Sequence, residues 1–219
     1  MAQGEGVRIA VLVSGHGRGS NMQALIDACK EGRIRGTVAV VIGTRAGAPA
    51  IGRARQAGVP TVIVRPGSDD EDYGRRLLQA LTRYGVNLVC LAGYMRLLPP
   101  NVVEAYRWRI LNIHPALLPK YGGKGMYGER VHRAVIDAGE TVSGCTVHFV
   151  DDQYDHGPIL LQEQVPVLPD DTPETLAARI LPEEHRTYVK AVALVADGRV
   201  RVQGDAVEVL SQEEGEVTP

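Results

Sequence analysis

Cysteine is scarce in this chain of 219 residues: only Cys29, Cys90 and Cys145 occur, each standing alone. No two of them have the spacing of a zinc site, and an odd number argues against the disulfide framework of a small secreted protein. Cys90 and Cys145 lie among apolar residues, which favours small hydrophobic core side chains. We therefore predict free thiols and a cytoplasmic protein in a reducing compartment.

An excess of one charge and a long apolar run are also lacking. The formal net charge is −2, so the composition does not predict a surface for nucleic acid or another polyanion. Gly15 and Gly17 interrupt the apolar stretch near the N-terminus, and no run reaches the ~18 apolar residues of a membrane span. We expect small-molecule partners, no nucleic acid, no membrane and no export signal; the sequence leaves open a monomer or a homodimer.

The hydrophobic pattern predicts alternating strands and helices in the first half of the chain. Hydrophobic residues make up 44% of the sequence, enough for a core. Unbroken branched apolar runs predict buried strands at 7–13, 37–42, 61–64 and 87–92. Amphipathic stretches predict helices between them at 21–30, 48–57 and 70–84. This order predicts an α/β fold with a mainly parallel sheet and helices on both faces.

The pattern changes after about residue 100. A short strand is predicted at 110–113, then a loop rich in proline and glycine at 115–128 and a helix at 131–138. Alternating segments at 141–150 and 159–167 predict an antiparallel pair, followed by a long helix at 173–196 and a possible hairpin after 198. Since neither a repeat nor a linker is found, we predict one domain over 1–219.

A glycine-rich turn, SGHGRGSN at 14–21, joins the first predicted strand to the first helix. Glycine permits positive φ and close approach of a ligand, and amides at a helix N-terminus favour an anion such as phosphate. One alternative is a tight turn with Ser20 or Asn21 as the helix N-cap. Another is a dinucleotide site, in which Arg45 after the second strand favours a phosphorylated ribose. The GGKG at 122–125 fails the spacing of a P-loop.

Asn112 and His114 form the more specific pattern. They stand two residues apart at the end of a predicted strand, so their side chains share one face at the sheet edge where α/β folds bind ligands. A turn at 155–158 would carry a carboxylate back toward His114. Two alternatives stay open, a capped structural histidine and a metal site, although the spacing matches no metal signature. The polar cluster that follows contains His148, Asp151, Asp152, Asp155 and His156.

Four segments together resemble the folate-dependent phosphoribosylglycinamide formyltransferases: SGHGRGSN, LAGYMRLLP, LNIHPALLPKY and GCTVHFVDDQYDHGPILLQ. The resemblance is collinear over about 7–200, although the HPxLLP element alone is shared with methionyl-tRNA formyltransferase and formyltetrahydrofolate hydrolase. It implies transfer of a formyl group from 10-formyltetrahydrofolate to the amine of glycinamide ribonucleotide, in purine biosynthesis. It also implies a Rossmann-like half that binds the nucleotide phosphate at about 7–110, a folate-binding and catalytic half at about 111–200, and a C-terminal extension at 201–219.

The resemblance assigns roles to four sets of residues and requires no metal. The catalytic residues are Asn112, His114 and Asp155. The phosphate loop contains Gly19, Ser20 and Asn21. The segment that holds the folate consists of Met95, Arg96, Leu97 and Leu98, with Asn112 beside it. The acid at the glycinamide end of the nucleotide is Glu184.

Two departures from the family pattern stand out. The first loop is longer than usual, so His16 and Arg18 have no assigned role. Asp70 stands where the family often has a basic residue that meets the glutamate tail of the folate; Arg75 and Arg76 are the alternatives.

The chemistry implied is attack of a neutral amine on the formyl carbon, which creates an oxyanion. Asn112 and a protonated His114 are expected to donate hydrogen bonds to this oxyanion, with Asp155 favouring the imidazolium. The rival functions are a formyltetrahydrofolate hydrolase, in which water attacks, and a non-catalytic binding protein.

Overall fold

The computed structural model describes residues 6–15 and 17–211. Its strands are β1 (Val7–Val13), β2 (Gly36–Gly43), β3 (Thr61–Ile63), β4 (Leu88–Leu91), β5 (Ile110–His114), β6 (Val142–Phe149), β7 (Ile159–Pro166), β8 (Val200–Gln203) and β9 (Ala206–Val209). Its helices are α1 (Ser20–Lys30), α2 (Pro49–Gln56), α3 (Asp70–Arg83), α4 (Pro100–Ala105), α5 (Glu129–Asp137) and α6 (Pro173–Ala196). The predicted alternation of strands and helices is confirmed.

Seven strands form one sheet in the order β3-β2-β1-β4-β5-β6-β7. The pairs among β1 to β5 are parallel, whereas β6 runs antiparallel to both β5 and β7. From β1 the chain moves outward to β3 and then returns to the other side of β1 at β4. The carboxyl ends of β1 and β4 therefore flank a topological switch point, the place where open α/β sheets bind ligands.

Helices cover both faces of the sheet because the strands carry apolar side chains on both sides. One core cluster packs one face of the sheet against α1, α2, α5 and α6, and the other packs the opposite face against α3 and α4. Val11 belongs to the first cluster and Leu12 to the second, and both are fully buried. This burial from two sides explains the unbroken apolar run of β1.

The cysteines are free thiols, as predicted, and Cys90 and Cys145 are fully buried in the core. Burial raises the pKa of Cys90 to about 12 and the pKa of Cys145 to about 11. Because the thiolate is the reactive form, neither side chain is a nucleophile at neutral pH.

Helix α4 is the element that the sequence pattern did not predict. It has six residues and starts at Pro100, so it is too short to show the helical period of apolar residues. The hairpin after residue 198 is present as β8 and β9. Val202 and Val207 anchor this hairpin by packing against the core of the domain.

Helix α6 is 24 residues long and is fixed at its N-terminus. Thr172 and Thr175 form a reciprocal capping box, which satisfies two backbone N–H groups at the start of the helix. Arg179 donates to both carboxylate oxygens of Asp171 and to the Pro166 carbonyl, so the helix is tied to the end of β7. In the part of the chain that the structure describes, no helix is both long enough and apolar enough to cross a membrane.

Candidate active site

Asn112 and His114 occupy the carboxyl end of β5, where their side chains share one face of the sheet. The antiparallel register places Asn112 directly opposite His148 on β6. The Asn112 Nδ2 group donates to His148 Nε2 at 3.0 Å and to Asp155 Oδ1 at 3.3 Å. Both amide N–H groups are therefore engaged within the protein, and donation to a substrate oxygen requires release of the longer contact, to Asp155.

Asp155 reaches this cluster through the turn after β6. Its backbone has a φ of 53°, a left-handed conformation that aspartate tolerates better than most residues. Its Oδ2 atom lies 3.5 Å from His114 Nδ1 and accepts a hydrogen bond from the Gly123 amide at 3.0 Å. Its other oxygen lies 3.6 Å from His148 Nε2. The structure thus brings Asn112, His114 and Asp155 together, although 43 positions separate the first from the last.

The protonation of His114 differs from the expected imidazolium. Burial lowers the pKa of His114 below its ordinary value of 6.5, and the Asp155 carboxylate only partly offsets this effect. The Nε2–H group donates to the Tyr121 carbonyl at 2.8 Å. Burial therefore favours the neutral imidazole, in which an unprotonated Nδ1 faces the carboxylate and can accept a proton.

Asp155 is ionised although it is largely buried. Burial raises its pKa, but the neighbouring imidazoles of His148 and His114 and the hydrogen bond from the Gly123 amide lower it, and the net pKa lies below the ordinary 3.8. His148 donates from Nδ1 to the Phe149 carbonyl at 2.8 Å, which leaves Nε2 free to accept from Asn112. His148 thus orients Asn112 toward the carboxylate.

The segment from Met95 to Leu98 follows β4 and lies beside this cluster. The Met95 amide donates to Ser14 Oγ at 2.8 Å, which ties the segment to the end of β1. The Leu97 amide donates to the Tyr154 hydroxyl at 3.1 Å. Leu98 is buried at 2% exposure, whereas Leu97 is 38% exposed. These contacts fix the backbone of the segment, and Leu97 offers an apolar side chain to a ligand.

One cleft joins the 95–98 segment to the polar cluster at the end of β5. It places apolar side chains from the β4 side against Asn112, His148 and Asp155. Its lining residues are Leu91, Tyr94, Arg96, Leu97, Leu98, Asn112, His148, Val150, Gln153, Tyr154 and Asp155. The cleft therefore offers a ligand an apolar wall opposite a polar edge.

The charged residues near Asp70 are largely paired with one another. Asp70 lies 4.0 Å from Arg96, and both side chains are exposed to solvent. Arg75 and Arg76 both bind Asp72, and Arg76 also donates to a backbone carbonyl. In this arrangement Arg96 lies next to an acid, and Arg75 and Arg76 are both paired with Asp72.

Gly19 starts helix α1 and sets the shape of the glycine-rich turn. Its φ is 75°, and a Cβ atom at this position would lie 2.8 Å from Ala50 Cβ, closer than any real contact. Ser20 and Asn21 lie inside the helix and α1 has no side-chain cap, so the alternative with one of them as N-cap is wrong. The first-turn amides of α1 are left for a ligand.

Asn21 and Glu184 meet across 163 positions of the chain. The Asn21 amide donates to Glu184 Oε2 at 2.6 Å, which links α1 to α6. Glu184 is only 9% exposed, and burial raises its pKa while the hydrogen bond from Asn21 opposes the rise. The Asn21 Oδ1 atom is buried and has no hydrogen-bond partner among the described residues. A buried acid and an unsatisfied carbonyl oxygen therefore lie side by side.

The structure divides the second polar cluster of the sequence into two groups. His148 and Asp155 join the site. His156 instead forms an exposed ion pair with Asp151 at 2.7 Å, and Asp152 is exposed. Among residues 6–15 and 17–211, no three His, Cys, Asp or Glu side chains are grouped as a metal site requires. The alternation of side chains along β6 was the sequence signal that could have identified His148 as a residue of the site.

Comparisons with known proteins agree with this geometry. The family model described as "Formyl transferase" matches residues 7–192. Phosphoribosylglycinamide formyltransferase from Escherichia coli (strain K12) is 42% identical over 202 residues, which are 91% of this chain and 92% of that protein. The trifunctional purine biosynthetic protein adenosine-3 of Drosophila melanogaster is 42% identical over 94% of this chain and 15% of its own length.

The structural comparison extends over almost the whole chain. Glycinamide ribonucleotide transformylase 1 from Symbiobacterium toebii superposes with a TM-score of 0.89, at 48% identity, over 95% of this chain and 96% of that one. The fold, the cleft at the switch point and the sequence identity therefore point to the same group. The chain belongs to the formyl transferase family and, within it, to the phosphoribosylglycinamide formyltransferases.

Proposed function

We propose that the chain transfers the formyl group of 10-formyltetrahydrofolate to the amine of 5′-phosphoribosylglycinamide, a step of de novo purine biosynthesis. The products are formylglycinamide ribonucleotide and tetrahydrofolate. The observation that carries the proposal is the cluster of Asn112, His114 and Asp155 at the carboxyl end of β5, from which Asn112 and Asp155 line the cleft beside the 95–98 segment. An amide, an imidazole and a carboxylate in this arrangement serve proton transfer and oxyanion stabilisation.

The two substrates approach this cluster from opposite sides in the proposal. The phosphate binds at Gly19, Ser20 and Asn21, where amides at the start of α1 favour an anion. Glu184 holds the glycinamide end of the nucleotide, and the hydrogen bond from Asn21 fixes its carboxylate in place. The folate occupies the cleft, between Asn112 and the segment formed by Met95, Arg96, Leu97 and Leu98.

We also propose that residues 1–219 act as one domain with two functional halves. Residues of about 7–110 bind the nucleotide phosphate, those of about 111–200 bind folate and carry the catalytic groups, and 201–219 form an extension. Contacts between the halves support this division within one domain. The Asn21–Glu184 hydrogen bond and the cleft lined from both β4 and β6 are two such contacts.

Proton balance gives His114 two successive roles. The neutral amine attacks the formyl carbon, a new C–N bond forms, and the carbonyl oxygen becomes an oxyanion that an Asn112 N–H stabilises. His114 Nδ1 accepts the proton that the amine loses, and Asp155 stabilises the resulting imidazolium. The bond between the formyl carbon and N10 then breaks, and the proton passes from His114 to N10. The neutral His114 of the free protein suits the first of these steps.

An absorbance assay tests the proposal. The protein is mixed with 10-formyltetrahydrofolate in the presence and in the absence of glycinamide ribonucleotide. We expect deformylation of the folate only when the nucleotide is present. Deformylation without the nucleotide would indicate a hydrolase, and no change under either condition would indicate a binding protein.

Replacement of Asn112 by alanine is expected to lower kcat by about 10²- to 10³-fold, the usual cost of losing one oxyanion donor. The Michaelis constant for the ribonucleotide should change little, because Asn112 lies at the folate side of the site. Steady-state kinetics with each substrate varied in turn measures both quantities. A kcat within threefold of the wild type would remove Asn112 from the oxyanion site.

A further inference from the structure

We infer that Arg45 is a specificity-determining residue that binds the phosphate of the ribonucleotide. This inference rests on the proposed function, because it assumes that a phosphate occupies the turn at Gly19. Arg45 is thereby added to the phosphate site, whereas the sequence pattern connected it only with a dinucleotide. The ligand chemistry that it identifies is a phosphomonoester dianion.

The topology brings Arg45 to the glycine-rich turn. Strands β1 and β2 are parallel and pair Val13 with Gly43 at their carboxyl ends. The residues that follow therefore leave the sheet side by side. A Cβ atom on Gly15 would lie 3.7 Å from both Cβ and Cδ of Arg45 and 3.9 Å from its Nε, which is ordinary van der Waals contact. The stem of Arg45 thus lies along the turn, and its guanidinium extends from there.

Two helix N-termini converge at the same place. Ala50, in the first turn of α2, lies against Gly19 at the start of α1, with its Cα 3.0 Å from the position of a Cβ on Gly19. Neither helix has a side-chain cap or an acidic residue in its first turn. Neither helix therefore carries, in its own first turn, an acidic group that would compensate the positive end of its dipole.

Arg45 adds a third positive charge without a counter-ion. It is exposed, and it makes no ion pair or side-chain hydrogen bond with any residue of 6–15 or 17–211. A cation beside two helix N-termini is electrostatically unfavourable unless an anion joins it. By contrast, Arg179 and Arg76 are paired with acids. A dianion bound at the turn would complement all three positive groups at once.

Arginine has the chemistry for this role. Its planar fork of N–H groups binds two phosphate oxygens at once, and its charge persists at every physiological pH. A lysine at this position would keep the charge but lose the fork. The affinity for the phosphate should therefore fall in the order arginine, lysine, methionine at position 45.

A substrate pair isolates the contact between Arg45 and the phosphate. Glycinamide ribonucleotide and its dephosphorylated riboside differ only in the phosphate. With Arg45→Met we expect the Michaelis constant for the ribonucleotide to rise about 10- to 100-fold, the range for a hydrogen bond between charged groups. The change in kcat should be far smaller. Arg45→Met should lower kcat/KM for the riboside at least fivefold less than it lowers kcat/KM for the ribonucleotide. The Michaelis constant of Arg45→Lys for the ribonucleotide should lie between those of the wild type and Arg45→Met.

Arg53→Met is the matched control. Arg53 lies in the last turn of α2, is exposed, and has no ion pair within the described part of the chain. Its replacement removes the same charge and should change the Michaelis constant less than twofold. Equal losses with both substrates, or an unchanged Michaelis constant for the ribonucleotide in Arg45→Met, would overturn the inference.

Titration with inorganic phosphate separates this inference from the proposed function. The dissociation constant of phosphate should rise in Arg45→Met and stay unchanged in Arg53→Met, and it does not depend on formyl transfer. If the wild-type protein transfers no formyl group, the proposed function fails while the titration still tests Arg45. An equal phosphate affinity in the wild type and in Arg45→Met would count against Arg45 alone.

Discussion

Asp155→Asn is expected to lower kcat about 10²- to 10³-fold while the affinity for the ribonucleotide changes less than threefold. The reason is the charge that His114 acquires during the reaction. The imidazole is 3% exposed, so an imidazolium there depends on the carboxylate 3.5 Å away. An asparagine keeps the shape and one hydrogen bond but removes the charge. General acid–base catalysis typically accelerates a reaction by about 10²- to 10⁴-fold, which sets the size of the expected loss.

The pH profile gives the same variant a second test. In the wild type, kcat/KM should rise with pH through the pKa of His114, which burial places below 6.5, and should level off by neutral pH. The Asp155 carboxylate raises that pKa, so its removal should shift the rising limb to lower pH while the plateau falls. Rates measured between pH 4.5 and 8 locate the limb in both proteins.

The control for this prediction is Asp152→Asn. Asp152 is an exposed carboxylate in the same turn, so its replacement removes the same charge outside the cluster. We expect a kcat within twofold of the wild type and an unchanged pH profile. A wild-type rate in Asp155→Asn would remove Asp155 from the mechanism, and a rising limb shifted to higher pH would refute its electrostatic role.

Gly19→Ala is expected to raise the Michaelis constant for the ribonucleotide at least 10-fold and to destabilise the fold. The left-handed φ of 75° costs alanine about 1 kcal/mol, and the contact of 2.8 Å with Ala50 Cβ adds an overpacking cost of about 1–3 kcal/mol. Relief of the clash requires α2 to move away from α1, which displaces the amides of the turn. Urea denaturation measures the stability, and kinetics with each substrate measures the two Michaelis constants.

Two further variants separate the causes of this effect. Gly17 lies in the same turn, and a Cβ atom on it would meet no atom within 4 Å. Gly17→Ala should therefore leave both the stability and the kinetic constants nearly unchanged. Gly19→Ala combined with Ala50→Gly removes the closest contact, that with Ala50 Cβ, and should recover part of the lost nucleotide affinity. If Gly19→Ala binds the ribonucleotide as the wild type does, this turn is not the phosphate site.

The order of strands and helices could be predicted from the sequence because it depends on local hydrophobic periods. Seven strands and five helices of the structure correspond to segments that the pattern predicted, and the possible hairpin at the C-terminus is also present. Helix α4 was missed because six residues span less than two turns. The topology at the switch point follows from sheet order, which no local pattern contains.

Part of the site was also predictable. Spacing placed Asn112 and His114 on one face of β5, and a family resemblance added Asp155 and Glu184. The role of His148 in orienting Asn112 was missed, because it depends on the register between β5 and β6. The expected effect of Asp155 on His114 is present, but the opposing effect of burial on the pKa of His114 could not be predicted, because burial is a property of the whole fold.

By itself, the sequence of this protein determined its α/β architecture, its formyl transferase family and the residue types available for proton transfer. These follow from periodicity and from motifs, which are read within short segments of the chain. Only the tertiary structure decided that burial lowers the pKa of His114, that Asn21 meets Glu184 and that Arg45 lies along the glycine-rich turn. The physical reason is that burial, electrostatic pairing and strand register arise between segments distant in sequence.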